Sequence, residues 1–279
     1  MTQVDHAPAS DFGRFLADLR EGARRQGNVI FALIFREVKV KIGADGHGLL
    51  SFVGILLEPV AAVAALAAFF YLLKRQEIMG IHVALFLAVS YPPFMFLRRC
   101  ITSVPRAIHS SRSFYAFQSV KPFDAVIARY VIELILTLTG TIFLLFLLWW
   151  FMDLTIHTNA LLEALGLLGA LLCGGLGMAL FLGVYGTRFP VIYKTITLVG
   201  RGMVLLSAVI HPFNELTPEA RAILVWNPIA HFEELFRVEL LGTTAFTGLS
   251  LNYFLMWSII SLFLGFVGYY NNRFKVLER

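Results

Sequence analysis

Residues 98–129 read RRCITSVPRAIHSSRSFYAFQSVKPFDAVIAR. Arg98, Arg99, Arg106, Arg112, Lys121 and Arg129 supply six cations, against the single acid Asp124. This is the longest polar segment lying between strongly apolar ones. The apolar runs on both sides are long enough to cross a bilayer. A basic loop between two spans belongs on the cytoplasmic side. That placement orients everything else.

Outward from the loop, composition sets the class. Of the 279 residues, 58% are apolar and 15% charged, and the mean hydropathy is +0.75. A soluble domain carries about 25% charged residues. The chain therefore reads as an all-α integral membrane protein. Its net charge of +5 sits mostly in the expected cytoplasmic segments, which argues against a nucleic-acid partner. Cys100 and Cys173 are far apart in sequence and have no metal-ligand neighbours, so neither a disulfide nor a metal site is expected.

Six spans are expected near residues 49–73, 78–97, 125–152, 160–185, 191–210 and 253–270, each close to the ~20 residues a bilayer needs. Pro92-Pro93 should kink the second, and the glycines of the fourth should allow close helix packing. Residues 1–48 form a polar cytoplasmic segment without the apolar core of a signal peptide. Within it, residues 11–25 have helical apolar spacing, and residues 28–41 read as an amphipathic helix lying in the interface. Charge places the loop 98–124, the tail 271–279 and both termini in the cytoplasm. Residues 49–270 then form one transmembrane domain.

Residues 211–250 lie on the opposite side. Thr217-Pro218-Glu219 reads as a helix cap, with Pro at the first helical position and an acid in the first turn. Asn227-Pro228 restarts a second helix, which should end at Gly242. Two such short, apolar helices suggest a re-entrant hairpin in the outer leaflet, tolerable where protein covers the broken backbone. A cap lying on the outer surface is the alternative. The sequence contains neither a G-x-x-x-x-G-K-[ST] phosphate loop nor an H-E-x-x-H motif. No catalytic residues are expected.

Several short motifs carry a family resemblance. Residues 35–43 (FREVKVKIG) with Leu57-Glu58-Pro59, residues 120–124 (VKPFD) with Ile127-Ala128-Arg129, and residues 226–231 (WNPIAH) with residues 234–237 (ELFR) resemble type-2 ABC exporter permeases that move polysaccharides. Ser250-Leu251-Asn252-Tyr253 is similar, more narrowly, to the capsular polysaccharide permeases of Gram-negative bacteria, relatives of O-antigen and teichoic acid export permeases. Gly46-His47-Gly48 departs from the bulkier residues usual there. The resemblance implies a homodimer working with two cytoplasmic ABC ATPase subunits. ATP and Mg²⁺ would be bound by those partners, and this chain would bind no cofactor. The cargo would be a lipid-linked acidic polysaccharide leaving across the bacterial inner membrane towards periplasmic and outer-membrane export proteins.

The residues offer candidates for each role. Arg112, Phe114, Tyr115, Phe117 and Lys121 are expected to dock the ATPase, although polybasic loops also bind anionic headgroups. Arg201, buried within the fifth span, needs a partner. Glu58 and Glu133 are the candidates, and Arg129 four residues before Glu133 should partly satisfy it. Arg201, Glu58, Glu133, Tyr91 and Phe94 are the expected translocation-path residues, and Trp226, Asn227, Pro228 and Ile229 the periplasmic gate. Trp149, Trp150, Tyr253 and Tyr269 read as an interfacial belt. Two other classes make different demands on the sequence. An embedded glycosyl or lipid transferase needs converging acids or a metal site. A secondary transporter favours inverted repeats.

Overall fold

The computed structural model describes residues 11–43, 48–156, 160–244 and 246–277. Gly46 and His47 lie outside them. The chain is almost wholly helical. Five helices are long and apolar enough to cross a membrane: α2 (Gly48–Leu72), α3 (Val83–Thr102), α5 (Pro122–Met152), α6 (Leu161–Arg188) and α10 (Leu251–Leu277). They are joined by the amphipathic α1 (Asp11–Gly43), the short α4 (Ala107–Ser110), α7 (Val191–Leu206), α8 (Pro218–Leu224) and α9 (Pro228–Leu241).

Three elements differ from expectation. α1 is one 33-residue helix rather than two segments, because Gly27 lowers helix propensity without ending the 3.6-residue pattern. The 74–80 loop carries a two-residue hairpin, β1 (Glu77–Ile78) with β2 (Ile81–His82), closed by Met79 and Gly80 at φ 54° and 76°. Positive φ at both turn positions matches the right-handed twist of paired strands. The expected span over 191–210 is a helix of only 16 residues, about 24 Å at 1.5 Å per residue. It leaves helical geometry at Ser207, and Ala208 sits at φ 54°. The reason is visible downstream: the Ala208 carbonyl turns to accept a hydrogen bond from Arg237, 2.9 Å away.

α3 is the central column. It runs unbroken through Pro92 and Pro93, and Phe86, Leu87, Ala88, Phe94 and Leu97 on it are buried. α6 and α10 form the closest helix pair. A Cβ added at Gly177 would fall 2.2 Å from the Ser261 carbonyl oxygen, and one at Gly265 2.3 Å from that of Gly177. Only glycine permits this approach. Most of α2 and much of α5 and α10 remain exposed and apolar, as surfaces facing lipid or another chain must be. Cys100 is buried, Cys173 is exposed, and both are free.

Candidate functional site

The basic loop folds into a compact knob between α3 and α5. A 3-10 turn at Val104–Arg106 leads into α4, then a second 3-10 turn at Arg112–Ala116, and the chain re-enters the bundle at Pro122. The one acid of the stretch is used to start α5. Asp124 Oδ2 accepts the Lys121 backbone N–H at 2.9 Å, a negative charge at a helix N-terminus. Its Oδ1 accepts from Gln26 Nε2 of α1, also at 2.9 Å.

α1 is fastened to this knob by a row of polar contacts along one face. Glu37 accepts from Arg129 Nε and Nη2 at 2.9 and 3.0 Å, and Arg129 Nη2 also donates to Ser110 Oγ at 3.0 Å. Arg36 donates to Ser111 Oγ at 2.8 Å and the Ser110 carbonyl at 3.2 Å, and its guanidinium lies 4.6 Å over the Phe114 ring. One turn further, Lys41 Nζ is 2.8 Å from Glu133 Oε1. Glu133 also meets Ser103 Oγ at 3.1 Å and Arg99 at 3.4 Å, and Arg99 reaches Glu58 at 2.5 Å. Four elements, α1, α2, α3 and α5, thus converge on one layer of charge.

This corrects the expected pairing. Arg129 does not satisfy Glu133; it is held by Glu37 across the helix interface. The cation shared by Glu58 and Glu133 is Arg99. Arg201 is carried by α7, and its side chain lies outside the described residues. Tyr91 is half-buried beside Glu58 and Arg99. Phe94 is only 1% exposed and packs in the buried core of the bundle.

The docking candidates divide in the same way. Tyr115 donates to the Ile108 carbonyl at 2.9 Å, and burial pushes its hydroxyl pKa up, so it braces the knob from within. Phe114 is covered by Arg36. Phe117 is 63% exposed and Lys121 is exposed, which leaves them at the knob's outer surface. Arg112 opens the second 3-10 turn.

At the other end of the bundle, the two short helices start where the sequence places them. Thr217 Oγ1 accepts from Ala220 N at 3.4 Å, and Asn227 Oδ1 from Ile229 N at 3.0 Å. Asn227 Nδ2 donates to the Leu206 carbonyl at 2.6 Å, tying the turn to the end of α7. His231 Nδ1 accepts from Ser250 N at 3.0 Å, so its Nε2–H donates to the Val225 carbonyl at 2.7 Å. Tyr253 Oη closes the set on the Trp226 carbonyl at 2.8 Å. Trp226 itself is 76% exposed, whereas Ile229 is buried. Trp149 and Trp150 are exposed at the end of α5.

α9 also carries a buried charged group, part of the 234–237 motif, to which the sequence assigns no structural role. Arg237 is fully buried, pairs with Glu234, and donates to Ser90 Oγ at 3.0 Å and to the Ala208 carbonyl. Its guanidinium lies 4.7 Å over the Phe86 ring. Glu233 beside it is fully buried, with neither carboxyl oxygen hydrogen-bonded among the described residues. Burial pushes that carboxyl well up from its ordinary range, outweighing the nearby Arg237. The motif 234–237 marks Glu234 and Arg237 in the sequence, but nothing in it announces that they are buried. The available signal was their spacing: Glu233, Glu234 and Arg237 share a helix with Ile229, Phe232 and Phe236.

No family model matches the chain. It is 27% identical over 252 residues to the polysialic acid transport protein KpsM of Escherichia coli, covering 90% of this chain and 95% of that protein. It is 23% identical over 244 residues to the capsule polysaccharide export inner-membrane protein CtrC of Neisseria meningitidis, covering 86% and 89%. It is 22% identical over 243 residues to the capsule polysaccharide export inner-membrane protein BexB of Haemophilus influenzae, covering 87% and 90%. Over most of its length, then, this membrane-spanning chain is similar to the inner-membrane proteins of capsule polysaccharide export.

Proposed function

We propose that this chain is the permease subunit of a type-2 ABC exporter that moves a lipid-linked acidic capsular polysaccharide across the bacterial inner membrane, driven by a separate ATPase. The observation that carries the reading is near-full-length similarity to a protein named for transport of polysialic acid, itself a polyanion. The sequence has no phosphate loop of its own, which supports a separate ATPase as the source of energy. The permease works as a homodimer with two ATPase subunits, its termini in the cytoplasm, and hands its cargo to periplasmic and outer-membrane proteins. α7 is the short fifth of six spans, and residues 28–41 of α1 lie in the interface.

The knob at 98–124 is the coupling element. The contacts from Arg36, Glu37 and Gln26 support this, because they make the knob, α1 and the start of α5 one body. A push on the exposed Phe117 and Lys121 is then carried into α5 rather than lost in a loose loop. α8 and α9 form the re-entrant gate, with Trp226 and Asn227 at its tip. Arg201 supplies positive charge to the path. The test is co-purification with an ATPase, combined with glycan analysis of cells lacking this chain. Acidic polysaccharide retained inside the cell, and restored to the surface by the intact gene, supports the reading. An unaltered surface glycan refutes it.

A further inference from the structure

At the end of the bundle away from the basic loop, α2 and α5 leave a groove between them. They touch at Pro59 and Gly140, where a Cβ added to the glycine would lie 2.8 Å from the proline ring. Beyond that contact, α2 presents Val60, Val63, Ala64, Ala67, Ala68 and Tyr71, a stripe at helical spacing. α5 answers with Leu144, Leu147, Leu148 and Phe151. The alanines are too short to reach across, and a groove of about 650 Å³ remains. Its far end is rimmed by Arg75, Gln76 and His82.

We propose that this groove is a binding site for a phospholipid of the bilayer with an anionic headgroup, its chain between α2 and α5 and its phosphate on the Arg75–His82 rim. Walls this apolar do not hold water, and an empty space of this size forfeits contacts along its whole lining. Hydrocarbon is the remaining filler. From Val60 to Tyr71 is about 16 Å of helix, roughly half of the ~30 Å hydrocarbon core, the depth of one leaflet.

The rim supplies donors. His82 Nδ1 accepts the Ala84 backbone N–H at 3.2 Å, so in the neutral ring Nε2 carries the proton and can donate. Arg75 is paired with Glu215, but the two side chains are 35% and 27% exposed. Exposed pairs hold weakly, and guanidinium has five N–H donors in a fork that fits phosphate. Gln76 adds an amide.

The full chain, purified in detergent with its partners and stripped of lipid, is titrated with phosphatidylglycerol or phosphatidylcholine and read by native mass spectrometry. Preferential retention of phosphatidylglycerol is expected. Ala67→Phe, or Ala64→Leu should the first variant fold poorly, fills the groove and lowers retention by about tenfold or more, the effect of a few lost methylene contacts. Arg75→Gln with His82→Gln removes the preference for phosphatidylglycerol. Glu215→Gln, which frees Arg75, raises retention, whereas a purely structural Arg75–Glu215 bridge predicts no gain. Equal retention of the two lipids overturns the proposal, as does retention unchanged in both groove-filling variants. A disulfide between two copies at Ala68→Cys overturns it as well, because a second copy would then cover the groove.

Discussion

Glu133→Gln tests the layer of charge that joins α1 to the bundle. The carboxylate is 2% exposed and meets Lys41 at 2.8 Å, Ser103 at 3.1 Å and Arg99 at 3.4 Å. The amide keeps the shape and removes the charge. Breaking a buried pair costs about 3–5 kcal/mol when the other ion is left uncompensated. Here Arg99 keeps Glu58 and Lys41 is 26% exposed, so water and the second acid recover part of the loss. A net cost of about 2–3 kcal/mol remains. In a chain of this size that lowers Tm by roughly 4–10 °C. The assay is thermal unfolding of the purified protein in detergent, with Lys41→Met and the double variant completing a cycle. The two changes should be non-additive by about 1 kcal/mol or more, because they delete the same contact. A Tm unchanged by Glu133→Gln, or strict additivity in the cycle, would refute the reasoning.

Four further outcomes are expected. Phe117→Ala should weaken ATPase association while the chain stays inserted, and Tyr115→Phe, which loses one hydrogen bond inside the knob, should leave association intact; pull-down of the ATPase separates them. Arg237→Ala should destabilise by about 3–5 kcal/mol because Glu234 is left buried and unpaired, and adding Glu234→Gln should recover much of the loss in the same unfolding assay. Glu233 holds its proton more tightly when folded than when unfolded. Stability should therefore fall as pH rises above the ordinary carboxylate range, and Glu233→Gln should flatten that slope in Tm measured against pH. For Arg201, Lys should retain partial export and Gln should lose it in a surface-glycan assay; equal export by both would remove the residue from the path.

Much of the fold was legible because a bilayer leaves few choices. Backbone groups in hydrocarbon must be satisfied within the segment, so apolar runs of sufficient length become helices. The caps were equally readable. Thr217, Asn227 and Gly242 act where their side chains or backbone freedom are needed, and α8 and α9 start and stop there. The end of α7 was not legible. Residues 207–210 are apolar enough to continue the helix, and what unwinds them is a tertiary partner of Ala208, Arg237, 29 residues on. No local pattern announces that Ala208 must surrender its carbonyl to a buried guanidinium.

The charge layer was half legible, and the missing half has a physical cause. Glu37 and Lys41 are four apart on α1, and Arg129 and Glu133 are four apart on α5. Each pair invites an i,i+4 reading within its own helix, where such pairs are worth only ~0.2–0.5 kcal/mol. The signs run in opposite order, however, so the two helices can exchange partners: Glu37 takes Arg129 and Lys41 takes Glu133. Exchange wins because it excludes water from both acids, which are 4% and 2% exposed, and a buried charge needs a cation with full hydrogen bonding. The within-helix alternative would leave α1 held only by Gln26 on Asp124 and Arg36 on Ser110 and Ser111. Matching spacings of opposite sign on two helices are thus the sequence signature of a helix docked on its neighbour. Here they bind α1 to α5, the same helix that follows the knob, and Gln26 adds a contact to Asp124 at its start.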